Sequence, residues 1–321
     1  MPGPEPKSPA VFLMGPTASG KTRLAIEMRS RFAMDIISVD SALVYHGMDV
    51  GTAKPDSATL RQAPHALIDI RDPAETYSAA EFREDALEEM SKIAGRGRVP
   101  LLVGGTMLYF KALSRGLANL PAASPKIRQA IEAQAKKAGW HAMHAQLATR
   151  DPVIAERIHP NDPQRISRAL EVIELTGRKL SDLQKEQEKQ ELDYRVLKII
   201  ACPEPRSTLH ARIETRFRQM LEEGFMDEME NLRSRGDLTP DMPSMKCVGY
   251  RQAWSFLEGK DSFDEMCLKS VAASRQLAKR QLTWLRRETG ALWYDPTVES
   301  AQECVFRQVE KFLKNDSAVP K

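Results

Sequence analysis

The stretch VFLMGPTASGKTRLAIEMRSRF runs from Val11 to Phe32 near the start of the chain. An apolar run of strand type leads into GPTASGKT, which fits the pattern GxxxxGK[ST] at every fixed position, and an amphipathic helical segment follows. Glycines in such a loop let backbone N–H groups surround a phosphate, and the start of the helix adds positive charge. The order of strand, loop and helix therefore predicts a P-loop that holds a diphosphate or polyphosphate.

Each residue of this loop belongs to the predicted phosphate site. Lys21 is expected to neutralise phosphate oxygens, and Thr22 is expected to offer its hydroxyl to Mg²⁺, the one cofactor that the sequence predicts. The predicted diphosphate- or nucleotide-binding residues of the loop are Gly15, Pro16, Thr17, Ala18, Ser19, Gly20, Lys21 and Thr22.

Further apolar runs alternate with helical patterns and indicate βαβ crossovers in a mostly parallel sheet. We predict strands at 11–15, 35–40, 66–70, 100–105 and 195–201. Ser78 and Glu81 form a capping-box pattern that predicts a helix over 78–94. Asp162 followed by Pro163 predicts another helix start, and the last long helix is expected over 261–287.

The chain is therefore predicted to be an α/β protein with a P-loop NTPase-like core and a helical insertion domain. The core is assigned to 10–118 and 191–295, including C-terminal helices, and the insertion to 119–190. Residues 1–9 are expected to be a disordered leader, and 296–321 a C-terminal tail.

The amino-acid composition limits the class of protein but does not identify a ligand. Hydrophobic residues make up 42% of the 321 residues, and the formal net charge is +3, which is compatible with a nucleic-acid partner but does not argue for one. The four cysteines form no CxxC pair, so no zinc site or redox motif is predicted. Without a signal-peptide pattern or an apolar stretch of ~20 residues, we expect a cytoplasmic protein that does not enter a membrane.

A P-loop alone leaves the reaction open between phosphoryl transfer, hydrolysis and displacement at carbon with diphosphate leaving. Asp40 ends the second predicted strand and should face the P-loop, where it could assist Mg²⁺, act as a base or only cap the next turn. Asp69 ends a similar strand and ranks second. Thr106, after two glycines at the end of a further strand, could offer a hydroxyl to a ligand or cap a helix.

Five segments carry a more specific signal than the P-loop. They are DSALVYHGMDVGTAKP (40–55), LLVGGTMLYFKAL (101–113), HPNDPQRISRALEV (159–172), KCVGYRQAW (246–254) and SRQLAKRQLTWLR (274–286). Together they resemble the bacterial tRNA dimethylallyltransferases, also called tRNA isopentenyltransferases, and the resemblance extends in order from residue 10 to about residue 290.

The resemblance implies transfer of a dimethylallyl group from dimethylallyl diphosphate to N6 of the adenosine 3′-adjacent to the anticodon in tRNA, with release of diphosphate. By similarity Asp40 is the base that accepts the N6 proton, and Thr106 orients the reacting centre. An arginine of the family's RIxxR pattern contacts diphosphate, and here Arg216 is favoured over Arg212 and Arg218.

The family's tRNA contacts map onto both predicted domains, and the expected partners are the tRNA anticodon stem-loop and dimethylallyl diphosphate, bound by a monomer. Tyr250 is expected to be able to stack on a base. His46 and Lys246 stand where arginine is more usual in bacterial relatives. The implied tRNA-binding residues are Asp40, Ser41, Ala42, Leu43, Thr106, Arg128, Gln164, Arg165, Ile166, Ser167, Arg168, Lys246, Cys247, Val248, Gly249, Tyr250 and Arg251.

A P-loop also occurs in proteins with two other functions that remain alternatives for this chain. A small-molecule or nucleoside kinase has the same loop with a helical lid and moves the terminal phosphate of ATP. An RNA-binding switch that reads a bound nucleotide would transfer nothing. A basic run over 275–287, with five Lys or Arg and no acidic residue, mildly supports an RNA partner, although a solvated helix face explains it as well.

Overall fold

The computed structural model describes residues 7–118, 120–186 and 190–314. The chain forms two compact units, the first built from 1–114 with 192–321 and the second from 115–191. Much of the predicted leader, at 1–6, lies outside the described residues, as do 119, 187–189 and 315–321. Within the described part of the chain, no helix has the length and apolar character needed to cross a membrane.

The first unit begins with alternating strands and helices. These are β1 (Pro9–Met14), α1 (Lys21–Arg31), β2 (Met34–Val39), α2 (Ser57–Gln62), β3 (His65–Ala66), α3 (Ala79–Gly95), β4 (Val99–Gly104) and α4 (Met107–Arg115). The second unit contains α5 (Pro125–Ala138), α6 (Trp140–Arg150), α7 (Pro152–Ala155), α8 (Pro163–Thr176) and α9 (Leu180–Lys185). The first unit then resumes with β5 (Arg195–Ala201), α10 (Arg206–Glu222), α11 (Phe225–Ser234), α12 (Tyr250–Leu257), α13 (Phe263–Leu285), β6 (Leu292–Tyr294) and α14 (Glu299–Lys314).

The six described strands form one sheet in the order β3-β2-β4-β1-β5-β6, and every neighbouring pair is parallel. In a parallel sheet the carboxyl ends of all strands meet at one edge, where ligands bind in open α/β folds. Here β4 lies between β1 and β2, and Gly104 is in register with both Met14 and Val39. The segments that follow these three strands therefore start side by side.

Close backbone contacts at this edge explain two of the glycines. A Cβ atom on Gly104 would lie 1.9 Å from the carbonyl oxygen of Val39, and one on Gly15 would lie 2.4 Å from the carbonyl oxygen of Ala201. Because any larger residue would push neighbouring backbone apart, these glycines permit the spacing of strand ends on which the edge is built.

Both faces of the sheet are covered, as expected for parallel strands that are apolar throughout. Along β1, Phe12 and Met14 face one apolar cluster, and Val11 and Leu13 face another. The first cluster takes side chains from α3, α4, α10 and α13, and the second takes them from α1 and α14. Such alternation places helices on the two faces and leaves the carboxyl edge for the loops.

The second unit has an apolar core of its own, to which α5 to α9 all contribute. Its helix α8 starts as predicted, because the Asp162 side chain accepts a hydrogen bond from the N–H of Arg165 and Pro163 occupies the first turn. The sequence predicts this domain over 119–190, whereas the compact unit extends over 115–191.

Several predicted elements are confirmed, and others are wrong. The strands near 11–15, 35–40, 100–105 and 195–201 are present, and Ser78 and Glu81 form the predicted capping box of α3. The strand at 66–70 is wrong: β3 ends at Ala66, because Leu67 and Asp69 adopt positive φ angles of 62° and 52° that turn the chain out of the extended conformation.

The C-terminal region, predicted as a tail over 296–321, contains a helix. Residues 299–314 form α14, which contributes Val305, Phe306 and Val309 to the core. The short strand β6 was not predicted either, because three residues are too few for a periodic signal.

Two glycines form a matched pair for testing the close approach at the edge of the sheet. We expect Gly104→Ala to lower the urea midpoint of unfolding clearly, by the equivalent of about 1–3 kcal/mol or more, because its Cβ would overlap the Val39 carbonyl. The control is Gly95→Ala at the exposed end of α3, where no heavy atom lies within 4 Å. That variant should be neutral or slightly stabilising, and equal behaviour of the two variants would contradict the interpretation.

Candidate active site

The P-loop joins β1 to α1 at the carboxyl edge of the sheet. The Nζ of Lys21 folds back and donates a hydrogen bond to the carbonyl oxygen of Pro16 at 2.7 Å, with Ser19 Oγ 3.4 Å away. Burial lowers the pKa of Lys21 to about 8; the nearby Asp40 carboxylate raises it and the Arg216 guanidinium lowers it. The loop thus presents a cation that its own backbone satisfies only in part, which is the electrostatic setting an anionic phosphate requires.

Asp40 follows β2 directly and lies partly buried at the same edge. Its Oδ1 accepts a hydrogen bond from the N–H of Ala42 at 2.9 Å, which is the turn-capping contact that the sequence analysis left open. Oδ2 receives no hydrogen bond from the described residues, so the carboxylate both caps its turn and keeps one oxygen for a ligand.

Thr106 connects the turn after β4 to the turn after β2 through hydrogen bonds. Its Oγ1 accepts a hydrogen bond from the N–H of Ser41 at 3.0 Å and lies 3.4 Å from Ser41 Oγ, while its own N–H donates to the Val39 carbonyl at 3.2 Å. The hydroxyl is therefore bonded to the residue next to Asp40 in the chain.

Arg216 of α10, the arginine favoured for the diphosphate contact, lies beside the P-loop. Its Nη1 lies 3.4 Å from Thr17 Oγ1, and its Nη2 donates to the carbonyl oxygen of Thr52 at 2.9 Å. Burial lowers the pKa of Arg216 below its ordinary value, and Asp40 partly offsets that shift. Arg218, by contrast, is exposed and pairs with Glu214 on its own helix.

Asp69, the second-ranked carboxylate, is engaged elsewhere. Its Oδ1 accepts a hydrogen bond from Lys54 Nζ, and the same Nζ also reaches Asp49 and the carbonyl oxygen of Tyr45. The Lys54 side chain is only 4% exposed, so this ion pair stabilises the fold of the 45–54 segment. Asp40 is therefore the better candidate for a reacting carboxylate.

Gln281 of α13 is a site residue that the sequence analysis missed. Its Oε1 accepts a hydrogen bond from the N–H of Thr17 in the P-loop at 2.9 Å, and its Nε2 donates to the carbonyl oxygen of Gly105 at 3.0 Å. Gln281 lies within the SRQLAKRQLTWLR segment, but nothing in the helical pattern separates it from an ordinary helix residue. Only the fold shows that it bridges two loops.

In the 246–251 segment, the prediction that Tyr250 can stack on a base is wrong. The side chain of Tyr250 is fully buried, and its hydroxyl donates to Glu228 at 2.6 Å, so it is not available to stack on a base as the sequence analysis expected. Burial and the Glu228 carboxylate raise the pKa of this phenol. Lys246 and Arg251 are exposed. Between them, burial raises the pKa of the Cys247 thiol to about 12.

Glu228 is a second residue that sequence reasoning missed. Its carboxylate accepts hydrogen bonds from the N–H groups of Asp49, Val50 and Gly51 as well as from Tyr250. It therefore fixes the turn at 49–51, whose neighbour Thr52 contacts Arg216. A Cβ on Gly51 would lie 2.3 Å from the Phe225 ring, so this turn is also packed too closely for a larger residue.

In the second unit, two of the predicted tRNA contacts form ion pairs within the fold. Glu171 is fully buried and accepts hydrogen bonds from both Arg128 and Arg168. Burial by itself would raise the pKa of Glu171, but the hydrogen bonds from Arg168 and Arg128 hold it below its ordinary value. Ile166 and Ser167 are buried, whereas Gln164 and Arg165 are exposed.

The donor set at the P-loop fits Mg²⁺ held jointly with a phosphate ligand. Thr22 is exposed in the first turn of α1, and Asp40 offers Oδ2 near the loop. No group of three His, Cys, Asp or Glu that could hold a metal occurs in residues 7–118, 120–186 and 190–314. Mg²⁺ commonly binds through one or two protein oxygens, waters and substrate phosphates, so an all-protein cage is not required.

The arrangement places a phosphate-binding loop, a carboxylate and a hydroxyl at the ends of three adjacent parallel strands. This combination can hold a diphosphate and position a base beside it. Fold and loop together define a P-loop-type α/β protein.

Comparison with known proteins gives the family. A model of the family described as IPP transferase matches residues 43–288, and the chain belongs to this family of prenyltransferases. The chain is similar to the tRNA isopentenylpyrophosphate transferase of Bacillus halodurans, with 36% identity and a TM-score of 0.71 over 97% of this chain and 98% of that one.

Two further solved structures are similar. The tRNA delta(2)-isopentenylpyrophosphate transferase of Staphylococcus epidermidis has 34% identity and a TM-score of 0.67, covering 95% of this chain and 99% of that chain. A eukaryotic dimethylallyltransferase described as acting on tRNA has 24% identity and a TM-score of 0.80, covering 96% of this chain and 80% of that chain, and it supports the fold alone.

The lowered pKa of Lys21 predicts how diphosphate binding depends on pH. Below about pH 8 the ammonium is already protonated, whereas above it the free protein must take up a proton to bind the anion in the same way. The affinity for inorganic diphosphate with Mg²⁺, measured by calorimetry, should therefore contain a component that falls as pH rises through about 8.

Lys21→Met provides the control for this measurement, because the ligand itself also titrates. The variant should bind more weakly at pH 7, and the difference from the unsubstituted protein should shrink as pH rises above 8. A constant ratio of affinities between pH 7 and about 9.5 would show that Lys21 does not titrate in this range.

Proposed function

We propose that this prenyltransferase moves a dimethylallyl group from dimethylallyl diphosphate to N6 of the adenosine 3′-adjacent to the anticodon in tRNA. Membership in the IPP transferase family and the similarity to two bacterial tRNA isopentenylpyrophosphate transferases support tRNA prenylation. The observation that carries the proposed chemistry is the position of Asp40 and Thr106 beside the P-loop at one edge of the sheet.

The P-loop side of the site would stabilise the leaving group. The bond between the allylic carbon and the diphosphate oxygen breaks with its electron pair on oxygen, so negative charge grows on the diphosphate. Lys21, Arg216 and the N–H groups of the loop lie where they can oppose that charge. Mg²⁺, held by Thr22, would neutralise the diphosphate further.

The other side of the site would activate the nucleophile. The amine of adenine is a poor nucleophile, because its lone pair is delocalised into the ring, and it must lose a proton when the new N6–C bond forms. In the proposal, the Oδ2 oxygen of Asp40 accepts this proton, which contributes about 10²–10⁴-fold to the rate. Thr106 holds the turn that carries Asp40 and orients the reacting centre.

The tRNA would be held by exposed cationic and polar groups on both units. The adenine must leave its stack to react, which costs a few kcal/mol and less in a loop than in a duplex. Arg165, Lys246 and Arg251 are exposed and suited to phosphates or base edges, as are the outer edges of Arg128 and Arg168. We also propose that the protein binds tRNA as a monomer.

Label transfer tests the proposed reaction. Dimethylallyl diphosphate labelled in its allylic group is incubated with the protein, Mg²⁺ and unmodified tRNA, and we expect the label in the tRNA at N6 of that adenosine, located by mass spectrometry of its nucleosides. A kinase would instead move the terminal phosphate of labelled ATP, and an RNA-binding switch would give neither product. Either of these results would overturn the proposal.

Asp40→Asn tests the base. The amide keeps an acceptor for the Ala42 N–H but cannot take a proton at neutral pH, so we expect the rate of transfer to fall by about 10²-fold or more while tRNA affinity stays within a few-fold. The matched control is Asp69→Asn, whose carboxylate is paired with Lys54 and should not take part in transfer. Near-normal turnover of Asp40→Asn would remove Asp40 from the base role.

A further inference from the structure

The side chain of Gln281 is satisfied at both ends by backbone groups from two different loops. Its Oε1 accepts from the Thr17 N–H in the P-loop, and its Nε2 donates to the Gly105 carbonyl in the turn between β4 and α4. The two loops approach closely here, since a Cβ on Gly105 would lie 3.1 Å from the carbonyl oxygen of Gly15. A primary amide carries its acceptor and its donors on separate atoms, so it can contact both loops at once.

The contacts of Gln281 continue to Asp40 through Thr106. The residue after Gly105 is Thr106, whose hydroxyl accepts from Ser41 N–H and whose N–H donates to the Val39 carbonyl. One series of hydrogen bonds therefore leads from the loop that would hold the diphosphate to the turn that carries the proposed base. Apart from Gln281 itself, which lies in α13, the residues in this series follow the ends of β1, β2 and β4.

The helix that carries Gln281 does not depend on it for its own place in the fold. Ala278, Leu282 and Leu285 of α13 are buried in the apolar cluster on one face of the sheet. Their burial anchors the helix, so the amide can act on the loops from a fixed position. The contribution of Gln281 is therefore expected mainly in the relative position of the two loops and less in global stability.

We propose that Gln281 is a positioning residue for prenyl transfer: by joining Thr17 to Gly105, it keeps the diphosphate-holding P-loop in register with Thr106 and Asp40. This inference rests on the proposed function of these residues. In-line displacement at the allylic carbon requires the leaving group and the incoming nitrogen to be placed together, and misplacement by ~1 Å can cost about 10²-fold in rate.

Gln281→Met removes both hydrogen bonds while keeping a side chain of similar length. We expect kcat with both substrates saturating to fall by about 10- to 100-fold and the KM for tRNA to stay within about twofold, because alignment is lost and tRNA contacts remain. Gln281→Glu keeps the acceptor for Thr17 but cannot donate to Gly105 when ionised, so its kcat should also fall.

The matched control is Gln219→Met on α10. Gln219 is exposed, and its amide donates to Glu223 on the same helix, so this variant should retain the turnover of the unsubstituted protein. A kcat of Gln281→Met within about twofold of the unsubstituted protein, or a rise in tRNA KM without a fall in kcat, would overturn the inference. Should Gln281→Met fail to fold, the same two readouts on Gln281→Glu decide.

A double-variant cycle separates positioning from general loosening of the structure. Gly105→Ala puts a Cβ 2.4 Å from Gln281 Nε2, so this variant alone should disturb the bridge and slow transfer. Adding Gln281→Ala removes the nearest overlapping atom and leaves only the looser contact of 3.1 Å with the Gly15 carbonyl, so the double variant should be at most about twofold slower than Gln281→Ala alone. If the two losses in kcat multiply instead, the bridge is not what Gly105 protects and the inference fails.

The same assays distinguish failure of this inference from failure of the proposed function. The unsubstituted protein is measured first in the label-transfer assay: absence of prenylated tRNA there refutes the proposed function, and the dependent inference with it. When that protein is active, the inference depends only on the ratio of variant to unsubstituted kcat.

Discussion

The close approach of four parallel strand ends is the constraint on which the rest of the site depends. Gly104 lies directly against the backbone of Val39, and Gly15 against that of Ala201, so the strands β2, β4, β1 and β5 end without side chains between them. Because this spacing is a matter of backbone contact, it positions the P-loop, Thr106 and Asp40 before any ligand is present. Preorganised groups of this kind need little rearrangement when charge develops during a reaction.

Arginine is used differently in the two units. In the first unit Arg216 is partly buried beside the P-loop, and Asp40 only partly offsets the effect of that burial on its charge. In the second unit Arg128 and Arg168 share the buried carboxylate of Glu171, so the group of three retains one positive charge and two oriented guanidinium edges. A planar guanidinium held in this way can still donate to a phosphate, because it has five N–H groups.

Features coded by neighbouring residues could be predicted from the sequence, and features that depend on distant residues could not. The P-loop and the caps at Ser78 and Asp162 are local patterns, and the structure contains the caps as expected. The end of β3 depends on positive φ angles at Leu67 and Asp69, which no periodicity signals. Gln281 and Glu228 bind loops more than a hundred residues away in sequence, so their roles appear only once the chain is folded. Burial of Tyr250, an aromatic residue in a predicted contact segment, is likewise a tertiary property.

The two partly buried cations of the P-loop region, Lys21 and Arg216, bear on the stability of the folded protein. Burial lowers the pKa of both Lys21 and Arg216, and the Arg216 guanidinium lowers the pKa of Lys21 further, so an anion bound between them would favour their charged forms. A diphosphate that binds only the folded form stabilises it, by ~2.7 kcal/mol when present at about a hundred times its dissociation constant. In the proposed function, supply of the diphosphate substrate would therefore raise the folded population and, because fewer unfolded chains would be open to proteolysis, the abundance of the protein.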